Sequence, residues 1–100
     1  MAVFSKLKQF KDLRDQAKEM QDVLAKETVY ADANHGKVQI IMDGNQHASG
    51  VSIDNEYFTL SKKQDLQKNM TEAINSAVKK AQMAMAKKAK EMGKIDLPGI

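Results

Sequence analysis

The sequence predicts an α+β fold: a long N-terminal helix, a three-stranded antiparallel β-meander and a long C-terminal helix. Three observations predict it. Residues 3–27 contain no Gly or Pro and carry apolar residues at helical spacing. Residues 28–58 switch to period-two alternation punctuated by turn residues. Helical spacing then returns and runs from Leu60 to Gly93.

In the first helix, Phe10, Leu13, Ala17, Met20 and Leu24 recur at alternating steps of three and four. That places them on one face, and the same pattern suits a short coiled-coil seam. At about 1.5 Å per residue such a helix is about 37 Å long. A compact 100-residue chain has a radius of gyration of only about 13 Å. The helix is therefore expected to overhang the core or to be covered by a second copy.

Val38, Ile40 and Met42 alternate with Gln39 and Ile41, and Val51 and Ile53 alternate with Ser52 and Asp54. Each run reads as a strand with one buried face. Val38, Ile40, Val51 and Ile53 join the helix-one seam as expected core or dimer-contact residues. Thr28–Ala33 supplies a third strand of weaker alternation. Asn34-His35-Gly36 and Asp43-Gly44 are turn signals, the second read as a hairpin in which Gly supplies positive φ.

Ser61 with Gln64 fits a capping box at the start of the second helix. Leu66, Met70, Ala73, Ala77, Ala81 and Ala84 follow at helical spacing, with Ile74 beside them. Gly93 and Pro98 end the pattern. Residues 1–94 are expected to form one domain, and 95–100 a loose tail.

The chain has no Cys, which excludes disulfides and thiolate metal sites and fits a reducing cytoplasm. The first eight residues lack the apolar core of a secretory signal, and no apolar run approaches a membrane span. Net charge is only +3, but its distribution is uneven. Residues 62–94 hold nine basic and three acidic groups, and residues 28–61 hold one basic and four acidic. A local cationic excess suits a polyanion better than a small acidic substrate.

Two stripes are candidate phosphate contacts. In helix one, Lys8, Lys11, Arg14 and Lys18 lie about 120° from the apolar seam on a 3.6-residue wheel. Three of its charges have acidic residues at i+4, the pattern of ordinary surface pairing: Lys8–Asp12, Lys11–Asp15 and Lys18–Asp22. In helix two, Lys80, Lys87 and Lys94 repeat every seven residues, flanked by Lys79 and Lys90, and are read as opposing the apolar face. No acidic residue occurs between 73 and 90. Met83 sits within this basic face. Arg14 is the only arginine, and bidentate base recognition favours arginine, so weak sequence preference is expected.

Other chemistry is poorly represented. His35 and His47 sit in turns without a metal-pairing partner at i+3 or i+4. No nucleophile–base constellation and no Gly-rich phosphate loop is present. No catalytic residue, metal, cofactor, membrane or small-molecule substrate is therefore expected. The competing reading is a helical adaptor that docks a protein partner through the Phe10–Leu24 seam and the Ala/Met face, without touching DNA.

Several of these segments resemble the YbaB/EbfC family. Phe4-Ser5-Lys6-Leu7-Lys8-Gln9-Phe10-Lys11 with Gln16-Ala17-Lys18-Glu19-Met20-Gln21 is similar to its first helix. Gly36-x-Val38-x-Ile40-x-Met42-Asp43-Gly44-Asn45 and Val51-x-Ile53-Asp54 resemble its second and third strands. Leu66 and Ala73-Ile74-Asn75-Ser76-Ala77 resemble its second long helix. Family members often carry a longer Gly-rich turn than Asn34-His35-Gly36, and a more regular strand than His47-Ala48-Ser49-Gly50. The resemblance implies a tweezer-like homodimer that binds duplex DNA with little sequence preference, in the cytoplasm at the bacterial nucleoid.

Overall fold

The computed structural model describes residues 2–93, with side chains from Leu7 onward. Its elements are α1 (Ala2–Ala25), β1 (Thr28–Ala33), β2 (Val38–Asp43), β3 (Ala48–Ile53), two short 3-10 turns (Asn55–Tyr57 and Leu60–Lys62) and α2 (Lys63–Glu91). The strands form an antiparallel meander in the order β1-β2-β3. The α+β expectation is met element by element. Lys94 and the 95–100 tail lie outside the described residues.

The period-two pattern sets the core. Ala31, Ala33, Val38, Ile40 and Met42 turn to one face of the sheet, and α2 covers that face over β1 and β2. The helix can approach closely because its central contacts are Ala73, Ala77 and Ala81, each 0% exposed. Small side chains bring backbones together, and the half-buried Leu66, Met70 and Val78 fill the margins.

A buried phenol ties three segments. Tyr57 is 3% exposed, and its hydroxyl oxygen accepts from Asn34 Nδ2 at 2.7 Å and Asn69 Nδ2 at 2.8 Å. The β1–β2 turn, the first 3-10 turn and α2 thus meet at one atom. In that turn, Asn34, His35 and Gly36 all take positive φ, as the turn signal anticipated.

Two local expectations are corrected. Gly44 does not supply the positive φ of the second hairpin; Gln46 does, at +66°. Gly44 is required instead for close approach. Its N–H donates to the Leu24 carbonyl at 2.9 Å, and a Cβ there would stand 2.9 Å from Leu24 Cδ2. Asp43 Oδ1 closes the loop by accepting from the Asn45 and His47 N–H groups. The capping box is likewise absent. A 3-10 turn occupies Leu60–Lys62, so α2 starts at Lys63, and Ser61 Oγ faces Thr59 Oγ1 at 3.3 Å instead of capping the helix.

The bulge in the meander lies between Ile41 and Met42, which pair with Gly50 and Ala48. Ser49 is the extra residue, so Ala48–Gly50 of the irregular segment still belongs to β3, with His47 just outside it. The chain is long for its size, with a radius of gyration of 18.8 Å and a longest extent of 68 Å. Only the end of α1 is packed: Leu24 is buried and Met20 half-buried, whereas Phe10 is 70% and Leu13 65% exposed.

Gly44→Ala is expected to destabilise the fold by about 1–3 kcal/mol, the usual cost of overpacking at a rigid contact. Chemical denaturation measures it, and an unchanged midpoint would mean that α1 simply shifts. Tyr57→Phe leaves two amide donors without their acceptor and is expected to cost about 1–3 kcal/mol in the same assay.

Candidate nucleic-acid interface

The two basic stripes fall on different kinds of surface. Lys8, Lys11, Arg14 and Lys18 are exposed on the projecting part of α1. Their i, i+4 acidic neighbours do not engage them: no ion pair or hydrogen bond involves these four side chains among the described residues. The seam residues Phe10, Leu13 and Ala17 are exposed beside them.

On α2 the lysines divide by role. Lys79 and Lys87 are exposed and have no partner among the described residues. They border a shallow apolar patch lined by Gln82, Met83, Ala84 and Ala86, and Met83 is 63% exposed as the basic-face assignment anticipated. Lys90 is exposed on the same helix and makes an interaction of its own.

Lys80 corrects the sequence reading. It does not oppose the apolar face, because it follows Ala73 by seven residues and Ala77 by three, which leaves it close to their azimuth. Its Nζ donates to the Tyr30 carbonyl on β1 at 2.8 Å. The aliphatic stem lies along the sheet margin while the ammonium end stays exposed.

Lys88 was not singled out from the sequence, and it ties α2 to the segment that follows α1. Its Nζ lies 3.0 Å from Glu27 Oε1 and 3.4 Å from Glu91 Oε2. Glu27, then Glu91, raises its pKa above the ordinary lysine value. Lys37 is raised in the same way by its 2.9 Å bond to Glu56. A raised lysine pKa stabilises the fold fully below the unfolded-state value and stops doing so as pH climbs through the folded-state value. Both links are therefore intact at neutral pH. Only the reach of Glu27, two residues past α1, marks Lys88 as a brace, and that is a tertiary fact without a local signal.

Remaining core assignments sort by depth. Leu24, Val38 and Ile40 are buried, Met20 and Ile53 half-buried, and Val51 54% exposed. His35 and His47 are exposed, with His47 Nδ1 3.7 Å from Asp43 Oδ2. Among the described residues, no cluster of three His, Asp or Glu could hold a metal, and no helix is long and apolar enough to cross a membrane.

A thin α/β body carrying long helices with unneutralised cations is the build of a small polyanion-binding protein. The chain belongs to the YbaB/EbfC DNA-binding family, whose model matches residues 1–95. It is 32% identical over 98 residues to a nucleoid-associated protein of Syntrophobacter fumaroxidans, an alignment spanning 97% of this chain and 89% of that protein. It is 30% identical over 95 residues to a nucleoid-associated protein of Myxococcus xanthus, spanning 94% and 90% of the two. The fold matches the crystal structure of an uncharacterized protein from Helicobacter pylori, with a TM-score of 0.72 at 19% identity, over 89% of this chain and 95% of that one.

Lys80→Gln is expected to lower DNA affinity less than Lys87→Gln at the same salt concentration, because Lys80 is already engaged by Tyr30. A fluorescence-anisotropy titration separates them, and an equal or larger effect at Lys80 would place that side chain on DNA instead.

Proposed function

We propose that the chain binds double-stranded DNA as a homodimer through the basic faces of both helices, with little sequence preference, and acts at the nucleoid in DNA organisation or gene regulation. One observation carries the reading: Lys79 and Lys87 on α2, with Lys8, Lys11, Arg14 and Lys18 on α1, are exposed cations that form no ion pair with a carboxylate among the described residues. Duplex DNA presents about one charge per 1.7 Å of axis, and neutralising phosphates releases condensed counterions. Such binding needs no base contact. The family membership and the names of the relatives support DNA as the partner.

Lysine supports weak specificity, since a mobile point charge reads phosphate and not base identity. A homodimer is supported by the uncovered ridge of Leu7, Phe10 and Leu13, all more than 60% exposed. Contiguous apolar surface of this kind calls for cover by another molecule.

Binding to unrelated duplexes is expected to weaken steeply with salt, with a log–log slope of about −5 for six neutralised phosphates. The double variant Lys79→Gln, Lys87→Gln should reduce the slope magnitude by about two and leave the circular-dichroism spectrum unchanged. A flat salt response in the wild type would instead favour the helical-adaptor reading. Leu13→Asp should leave the chain folded, because Leu13 is exposed within it, and lower its mass in solution if the α1 ridge helps to join two copies.

A further inference from the structure

Every side chain of α1 from Leu7 to Glu19 is exposed, and Met20 is the first that is half-buried. Within the chain, α1 is a lever held near its C-terminal end. At about 1.5 Å per residue, Lys18 lies about 9 Å and Lys8 about 24 Å from Leu24 along the axis. A swing of about 20° at the base would carry Lys8 about 8 Å, roughly five charge spacings along duplex DNA. The direction of α1 therefore decides which phosphates its cations can reach.

Three sets of contacts hold the base. Leu24 is 1% exposed and sets its depth. The β2–β3 turn supplies two hydrogen bonds: Gly44 N–H donates to the Leu24 carbonyl at 2.9 Å, and Asn45 Nδ2 to the Gln21 carbonyl at 2.9 Å. Both come from one loop, so by themselves they let the helix swing about it. The third set comes from a different element. Glu27 N–H donates to the same Leu24 carbonyl at 3.1 Å, which fixes Glu27 to the helix end. Its carboxylate binds Lys88 Nζ on α2 at 3.0 Å, and Glu91 holds the same ammonium at 3.4 Å. This ion pair stands where the two cation rows converge. Lys87 adjoins Lys88 in the chain, and Lys18 lines the same cleft as Glu27 and Lys88.

We propose that Glu27 and Lys88 are positioning residues for DNA: their ion pair sets the direction of α1 so that Lys8, Lys11, Arg14 and Lys18 meet phosphates of the same duplex that Lys79 and Lys87 bind. This rests on the DNA reading above and specifies how the α1 cations are held in line with those of α2. Lys88 is not itself a phosphate contact, because two carboxylates already engage its ammonium group. A part-exposed ion pair adds little to folding stability. A modest bias is nevertheless enough to direct a lever that is unrestrained along most of its length.

Positioning and simple electrostatics predict opposite signs at Glu27. Removing its carboxylate takes away a negative charge and frees Lys88, and both changes alone favour a polyanion. Loss of positioning disfavours it.

Glu27→Ala is expected to bind duplex DNA about threefold or more weaker than the wild type, with the salt slope reduced in magnitude by about one as α1 cations leave the phosphates. Lys11→Gln should reduce the slope by about one in the wild-type background and by clearly less in Glu27→Ala. A pair that served stability alone would not couple to a side chain about 20 Å along the helix from Leu24. Lys88→Arg keeps the ion pair and should match the wild type, and circular dichroism should show each variant folded. Equal or tighter binding by Glu27→Ala, with Lys11→Gln keeping its full effect there, would overturn the inference and leave the DNA reading standing. A Lys11→Gln variant without effect in the wild-type background would take α1 off the DNA and overturn it as well. Failure of the wild type to bind duplex DNA at low salt would remove both.

Discussion

The fold depends on how closely α2 can lie on one face of a small sheet. Ala73, Ala77 and Ala81 are spaced four residues apart and present only methyl groups to Ala31, Ala33, Val38, Ile40 and Met42. That contact is tight but thin. The only large side chains buried to below 2% exposure among the described residues are Leu24 and Val38. A core of alanines supplies little transfer free energy per residue, because each buried methylene contributes only about 0.8 kcal/mol. Polar ties carry more of the specification than in a larger domain. Tyr57 gathers two amides, and the Gly44–Leu24 contact anchors α1 to the hairpin at its last turn.

The same economy explains why the lysines separate into working groups. Where α2 crosses the sheet margin, Lys80 is drawn to a backbone carbonyl. Where it meets the end of α1, Lys88 is held by Glu27. Lys79 and Lys87 have neither neighbour and remain as solvated cations. Position relative to the buried alanine face, more than residue type, decides which ammonium groups are available to phosphate.

Much of this was legible in the residues. Alternation at Val38-Gln39-Ile40-Ile41-Met42 located the central strand, and the Leu66–Ala81 spacing located the buried face of α2, because both patterns follow from the geometry of one element. What misled were features fixed by a second element. The hairpin glycine is explained by Leu24, twenty residues earlier, and not by its own φ. The Ser61–Gln64 pair has the spacing of a capping box, but the chain enters α2 through a 3-10 turn. Heptad spacing of Lys80 and Lys87 suggested a stripe opposite the core, whereas the helix wheel at Ala73 and Ala77 puts Lys80 against the sheet. For the candidate site, the α1 cations and the exposure of Lys79, Lys87 and Met83 were readable. The brace through Lys88 was not.

One sheet face is covered by α2, and that helix is only wide enough for two of three strands. The third strand therefore keeps half of what a strand needs: hydrogen bonds on one side and partial apolar cover from above. A charge or a proline in β3 would relieve the open side by forbidding further pairing, and neither is present. Val51 is accordingly left 54% exposed, while Ile53 is packed against the core by its pairing with Val38. The α1 ridge poses the same demand at the other end of the molecule, where Phe10 and Leu13 stand clear of the body. A chain of this length buries too little surface to leave both apolar strips idle.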